Sequence, residues 1–234
     1  MSDILDVLRT EQKYRLTKEQ MSRMAFLVSQ VLKADEHSRN GSYIVRSLYF
    51  DTLDNRDYFE KLDGCDCRRK IRLRIYSPDA RWAKLELKEK QGDFQRKRSL
   101  LLTREQAQEV CHGNYQALAE MDSEFAQELY GRMCQFLYRP VCLTEYDRKA
   151  YTASVNDIRV TFDEALRTTQ SELDLFQEKV QWIPLETSGT GTMEVKFNRF
   201  LLSYVKQLVS LPSCMKTSSS KYCAARNFFL GKEA

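Results

Sequence analysis

Two runs of strict alternation constrain this chain more than any other feature. Within KIRLRIYSPDARWAKLELKEK (70–90), Ile71, Leu73, Ile75, Leu85 and Leu87 alternate with Arg72, Arg74, Lys84, Lys88 and Lys90. A period of two belongs to a β-strand with two unlike faces. Here one face is aliphatic and the other nearly all positive. Charged sheet faces normally mix their signs, because like charges directly opposite each other destabilise a strand pair. Two such charges about 5 Å apart repel by roughly 3 kcal/mol at an effective dielectric of about 20. A face of this kind is either a solvated surface or the lining of a space that holds an anion.

The same parity recurs along the chain. Strand patterns fall at 11–16, 43–51, 67–76, 81–90, 94–102, 141–152, 157–163 and 191–197. Glu11, Lys13 and Arg15 share one face, as do Lys97 and Ser99, Tyr146 and Arg148, Arg159, Thr161 and Asp163, and Glu194 and Lys196. Lys70 and Tyr76 join Arg72 and Arg74, and Glu86 joins Lys84 and Lys88. One basic strand face is commonplace and discourages edge aggregation. Repeated over most of the sheet, it predicts a concave cationic face. The aliphatic face, with Ile158, Val160 and Phe162 as well, needs cover. Capping boxes at Thr17–Gln20 and Thr103–Gln106, a helical stretch near 123–137 and another over about 198–209 supply it. The expected architecture is α+β, an eight-stranded antiparallel barrel with a polar bore and helices packed outside.

The 234 residues suit one large domain or two small ones, and no repeat or low-complexity segment divides them; the reading adopted is a single domain over 1–234. The breaks fall at 34–42, 186–192 and 210–220, rich in Gly, Ser, Thr and Pro. A net charge of +4 is mild and does not argue for nucleic acid. Seven cysteines without a C-x-x-C read as reduced thiols of a cytoplasmic protein. No signal peptide opens the sequence and no apolar run reaches about 18 residues, so a membrane span is not expected. His37 and His112, the only histidines, read as bystanders in loops or helix ends.

Several segments, in order, resemble the VTC domain, the polyphosphate polymerase domain of the triphosphate tunnel metalloenzymes, or CYTH superfamily. They are SLYFDT (47–52), GCDCRRKIRLRIY (64–76), LELKEK (85–90), QRKRS (95–99), EYDRKAY (145–151), RVTFD (159–163), MEVKF (193–197) and SSSKY (218–222). The resemblance runs from about residue 9 to 230. It implies an eight-stranded tunnel in which Arg72, Arg74, Lys88, Lys97, Arg148 and Arg159 act on phosphates. It implies substrate contacts from Lys13, Tyr146, Lys221, Lys90 and Lys196, and a divalent metal, Mn²⁺ or Mg²⁺, on Glu194 and Glu11. The wider superfamily's E-x-E-x-K start is incomplete, since RTEQKYR carries one acid, Glu11. No phosphate-sensing SPX domain is expected before these segments and no transmembrane segment after them, so any transfer across a membrane is expected to fall to a membrane-protein partner.

The activity this implies is transfer of the γ-phosphate of ATP to a growing inorganic polyphosphate. Phosphoryl transfer relies on positioning, charge neutralisation and a metal. Arginine forks match phosphate oxygens, and lysines add point charges. A general base is not needed when the acceptor is a largely ionised phosphate terminus. Two alternatives stand beside this reading. One is an inorganic or nucleoside triphosphatase of the same fold. The other is a non-catalytic polyphosphate- or RNA-binding module, suggested by Tyr14, Tyr43, Tyr49, Tyr76 and Tyr146 among the basic strands.

Overall fold

The computed structural model describes residues 9–38, 41–92, 94–185, 189–210 and 215–231. Its strands are β1 Arg9–Thr17, β2 Lys33–Ala34, β3 Tyr43–Asp51, β4 Cys67–Ile75, β5 Trp82–Gln91, β6 Phe94–Thr103, β7 Arg139–Ala153, β8 Ile158–Thr169, β9 Ile183–Pro184, β10 Thr190–Asn198 and β11 Met215–Lys216. Its helices are α1 Lys18–Ser29, α2 Arg56–Leu62, α3 Arg104–Cys111, α4 Gln116–Ala119, α5 Glu124–Gln135, α6 Ser203–Val209 and α7 Lys221–Phe229. The eight expected strands are the eight long ones, and β2, β9 and β11 add two residues each.

Every pairing is antiparallel, in the order β11-β1-β10-β8-β7-β3-β4-β5-β6. Among the described residues no ladder joins β6 back to β1 or β11, so the backbone ring expected of a closed barrel stays open along that seam. The sheet nevertheless curls far enough for its two halves to meet. Lys88 on β5 lies within electrostatic range of Lys196 on β10 and Glu11 on β1, and Lys70 on β4 within range of Lys13 on β1. The sheet is tunnel-like, with the basic face inward.

The aliphatic face is buried as its pattern requires. Ile71, Leu73, Ile75, Leu85 and Leu87 join Val110, Leu118, Phe125 and Leu129 of α3, α4 and α5 in one cluster. Ile158, Val160, Phe162, Met193 and Val195 join Met21, Met24 and Val28 of α1 in another. Thr17 and Thr103 both complete the capping boxes read from the sequence. Gly191 lets β10 pass close over its neighbours: a Cβ there would lie 2.8 Å from the Asp163 carbonyl oxygen and 2.8 Å from Met21 Cε.

Some boundaries move. The helix expected over about 198–209 is only Ser203–Val209, because Asn198 still pairs with Arg9 and Arg199 turns to a φ of 60°. The strand at 157–163 continues to Thr169 past a bulge at Ala165, whose φ is 55°. Of the expected loops, 34–42 contains the last residue of β2 and a 3₁₀ turn at Glu36–Ser38. Residues 39–40, 186–188 and 211–214 of the three loops lie outside the described residues, Cys214 among them. α7 is placed differently from the other helices. Its Tyr222, Cys223 and Ala225 pack with Tyr49 and Cys142, which share the inward parity of β3 and β7.

Candidate functional site: a cationic tunnel

Adjacent inward positions bring the predicted residues together. Arg72 faces Glu86 across β4 and β5, Arg74 faces Lys84, and Lys70 faces Lys88. Lys88 in turn faces Lys97 on β6. On the far wall Arg148 pairs with Asp163, Arg159 with Lys196, Glu194 with Thr161 and Lys13 with Glu194. Lys90 lies at one end of the tunnel beside Arg68 and Gln95.

Three buried acids organise these cations. Glu86 is fully buried and accepts from Arg72 Nε at 2.6 Å while Lys97 pairs with its other oxygen. Burial would raise its carboxyl, but Arg72, Arg74 and Lys97 hold it well below the usual carboxylate range. Asp163, 2% exposed, takes both arms of Arg148, from Nε at 2.6 Å and Nη2 at 2.8 Å, and also accepts from Lys221 Nζ at 2.7 Å. Glu194 lies 3.1 Å from Lys196 and 3.4 Å from Lys13, and Lys13 lies 2.9 Å from Glu11. Burial opposes ionisation of Glu194, and Lys196 and Lys13 overcome it.

The SSSKY segment enters the site through α7. Ser220 caps the helix by accepting from Cys223 N, and it accepts from Lys70 Nζ at 2.6 Å. Lys221 sits in the first helical turn, where the helix dipole disfavours a cation. Asp163 compensates, and the ammonium lies 4.5 Å from the centre of the Tyr146 ring, an aromatic face that attracts cations. Tyr146 is buried, with Arg148 over the same ring at 5.2 Å.

Lys88 stands apart. Among the described residues no carboxylate lies within ion-pairing distance of its ammonium. Burial, Arg72 and Lys196 depress its pKa well below the ordinary lysine value. The hydroxyls of Thr144 and Thr161 are also buried without a hydrogen-bonding partner. Buried polar groups normally find partners in protein or ordered water. Orphaned inward hydroxyls and an ammonium with no ion-paired carboxylate describe a lumen suited to water and an anion.

Not every predicted residue is free in this arrangement. Arg159 is held 2.8 Å from Asp35 and donates to the Tyr43 hydroxyl at 3.2 Å, at one mouth of the tunnel. Lys97 reaches Glu86 but remains 47% exposed. The roles of Glu86 and Asp163 were missed, although both had the inward parity in the sequence. The parity does not reveal which cations an acid will hold. Arg98 points outward and pairs with Glu89 and Glu128, as its opposite parity to Lys97 implies. The His112 ring hydrogen-bonds the Gln108 carbonyl at the end of its own helix, whereas His37 stacks on Tyr76 at the tunnel mouth.

Glu194 and Glu11 are the carboxylates on the β1–β10 wall. No cluster of three or more His, Cys, Asp or Glu side chains suited to a metal occurs among the described residues. Two hard oxygen donors suit Mg²⁺ or Mn²⁺ when a phosphate ligand and water complete the shell.

Comparison with known proteins agrees with the fold. HpAC1 from Hippeastrum, a candidate adenylyl cyclase described as having a dominant triphosphatase activity, is 15% identical with a TM-score of 0.57; the alignment covers 96% of each chain. The PH1819 protein from Pyrococcus horikoshii OT3 is 11% identical with a TM-score of 0.50, covering 96% of this chain and 99% of that one. No curated protein matches by sequence. The family model of the VTC domain matches residues 8–230, and the chain belongs to that family.

Proposed function

We propose that this chain is a polyphosphate polymerase, moving the γ-phosphate of ATP onto a growing inorganic polyphosphate held in the tunnel. The observation that carries the proposal is the unpaired Lys88 ammonium at the convergence of Arg72, Lys196 and Lys97. A lumen of this charge is incomplete without a polyanion. Arg72, Arg74, Arg148 and Arg159 are assigned to phosphate oxygens as forks, with Lys88 and Lys97 stabilising the charge that spreads over the transferred group. Lys13, Lys90, Lys196 and Lys221, with Tyr146, line the path of the chain. Glu194 and Glu11 would hold Mg²⁺ or Mn²⁺, which supplies further neutralisation of phosphate charge.

The acids bear on the choice between transfer and hydrolysis. Hydrolysis needs a group to take a proton from water, with a pKa near the working pH. Glu86 and Glu194 are held well below the carboxylate range, and Asp163 below its ordinary value, each by the cations it binds. None is suited to that role, whereas an ionised phosphate terminus needs no base. The second reading, a triphosphatase, draws on the activity described for HpAC1. Incubation with γ-labelled ATP and Mn²⁺, followed by chain-length analysis on a gel, separates the two. Long labelled chains support the polymerase, and labelled orthophosphate alone refutes it. The described helices include none long and apolar enough to cross a membrane. The chain is proposed to be cytoplasmic, with any export of product assigned to a partner protein.

A further inference from the structure

Three aromatic rings meet at one mouth of the tunnel. Tyr76 follows β4, and His37 stacks on it with ring centres 5.9 Å apart and planes 8° from parallel. Tyr43, at the start of β3, meets Tyr76 edge-on at 5.9 Å and His37 at 5.7 Å. Two of these rings do not fill a core: Tyr76 is 36% exposed and His37 is exposed, while the half-buried Tyr43 packs against the Val45, Tyr146 and Leu166 cluster and anchors them. They are tied to the phosphate-facing cations. Tyr43 accepts from Arg159, which Asp35 holds in place. Burial would raise the Tyr76 phenol, but Arg74 beside it outweighs burial and keeps it below its ordinary value.

From this juxtaposition we propose that Tyr76, His37 and Tyr43 form a subsite for the base of a nucleoside triphosphate, so that the nucleotide enters the tunnel at this mouth. The inference rests on the triphosphate reading of the lumen and adds the specificity that distinguishes a nucleotide from inorganic triphosphate. Two residues along a strand span about 7 Å. Tyr76, Arg74 and Arg72 therefore form a ladder from base through ribose to phosphates, with Glu86 orienting Arg72 at its inner end. Every base has a π-face, so stacking here tolerates different bases. The γ-phosphate then points inward toward Lys88, and a growing chain leaves by the opposite end, past Lys70 and Lys90.

Calorimetric titration of the full chain with ATP and, separately, with inorganic tripolyphosphate tests this. Tyr76→Ala should weaken ATP binding about tenfold, the order of one base–aromatic stack, and leave tripolyphosphate affinity within twofold. His37→Ala should act in the same direction, and Tyr76→Phe, which keeps the ring and loses the hydroxyl, should retain ATP affinity. Unchanged ATP binding in both alanine variants, or an equal loss for both ligands, overturns the base subsite and leaves the phosphate reading standing. Failure of the unsubstituted protein to bind either ligand overturns the phosphate reading and the subsite with it.

Discussion

Replacing Lys88 with Met should leave the free protein as stable or more stable, while removing much of its response to polyphosphate. Met keeps most of the aliphatic stem and deletes an ammonium that burial, Arg72 and Lys196 already disfavour. Loss of a half-buried charge that has no ion-paired carboxylate is not expected to cost stability. In the complex, an ammonium about 4 Å from a phosphate oxygen contributes about 4 kcal/mol at an effective dielectric of about 20. Desolvation offsets part of that, which leaves roughly 2–3 kcal/mol, or about a hundredfold in affinity. Tripolyphosphate at about 100 times its Kd stabilises the native state by about 2.7 kcal/mol, and after a hundredfold weakening by about 0.4. The difference is a lost thermal shift of about 5–9 °C for a chain of this size. The pH dependence has a defined sign. The folded pKa of Lys88 lies below the unfolded value of about 10.4, so between the two the unfolded chain binds more protons and native stability rises with pH. Lys88→Met should flatten that rise. Thermal unfolding with and without tripolyphosphate reads both effects. A Tm several degrees lower in the free variant, with the ligand shift intact, would refute the reasoning and make Lys88 a structural side chain.

Three further outcomes are expected. Burial lowers the Lys70 pKa to about 8, so tripolyphosphate affinity should fall as pH rises through 8, and Lys70→Arg should make that fall shallower without abolishing it, since Lys88 is depressed as well; calorimetry at pH 7 and 9 tells them apart, and an identical fall in both proteins contradicts the role of Lys70. Glu86→Gln strips the counter-charge from Arg72 and Lys97, and should cost about 3–5 kcal/mol in urea unfolding, with part recovered on adding tripolyphosphate; an unchanged midpoint contradicts the ion-pair reading. Gly191→Ala forces a Cβ into 2.8 Å contacts with the Asp163 carbonyl and Met21 Cε, and should destabilise by about 1–3 kcal/mol, visible as a lower denaturation midpoint.

The strands of this fold were legible because alternation is a local signal. Ile71, Leu73 and Ile75 against Arg72 and Arg74 fixed which face of β4 would be covered, and the cluster with α3–α5 bears that out. The capping boxes at Thr17 and Thr103 were equally local, each a matter of four residues. The open seam between β6 and β11 was not legible, because closure depends on the curl summed over all the strands. Nor was α7: the Ser, Thr and Pro content of 210–220 reads as a loop and gives no helix after it, while the contacts of Tyr222 with Tyr49 and of Lys221 with Asp163 join residues more than 50 positions apart. His37 shows the same limit. Its neighbours in sequence say nothing of Tyr76, which a turn of the fold brings to 5.9 Å.

The acids in the lumen explain how so basic a face can fold before its ligand arrives. If every inward position were a cation, adjacent strands would repel at each rung of the ladder. Glu86 instead holds Arg72 and Lys97, Asp163 holds Arg148 and Lys221, and Glu194 lies between Lys13 and Lys196. Each acid neutralises part of the charge and fixes two basic groups in place, so the phosphate oxygens meet donors already oriented. Lys88 is left outside this carboxylate pairing, as are Arg74, which donates to Ser47, and Lys70, which donates to Ser220, and on the proposed function a polyanion completes their charge. On the proposed function, ligand binding and native stability are coupled through these cations without a carboxylate, while the paired residues set the geometry in which the coupling acts.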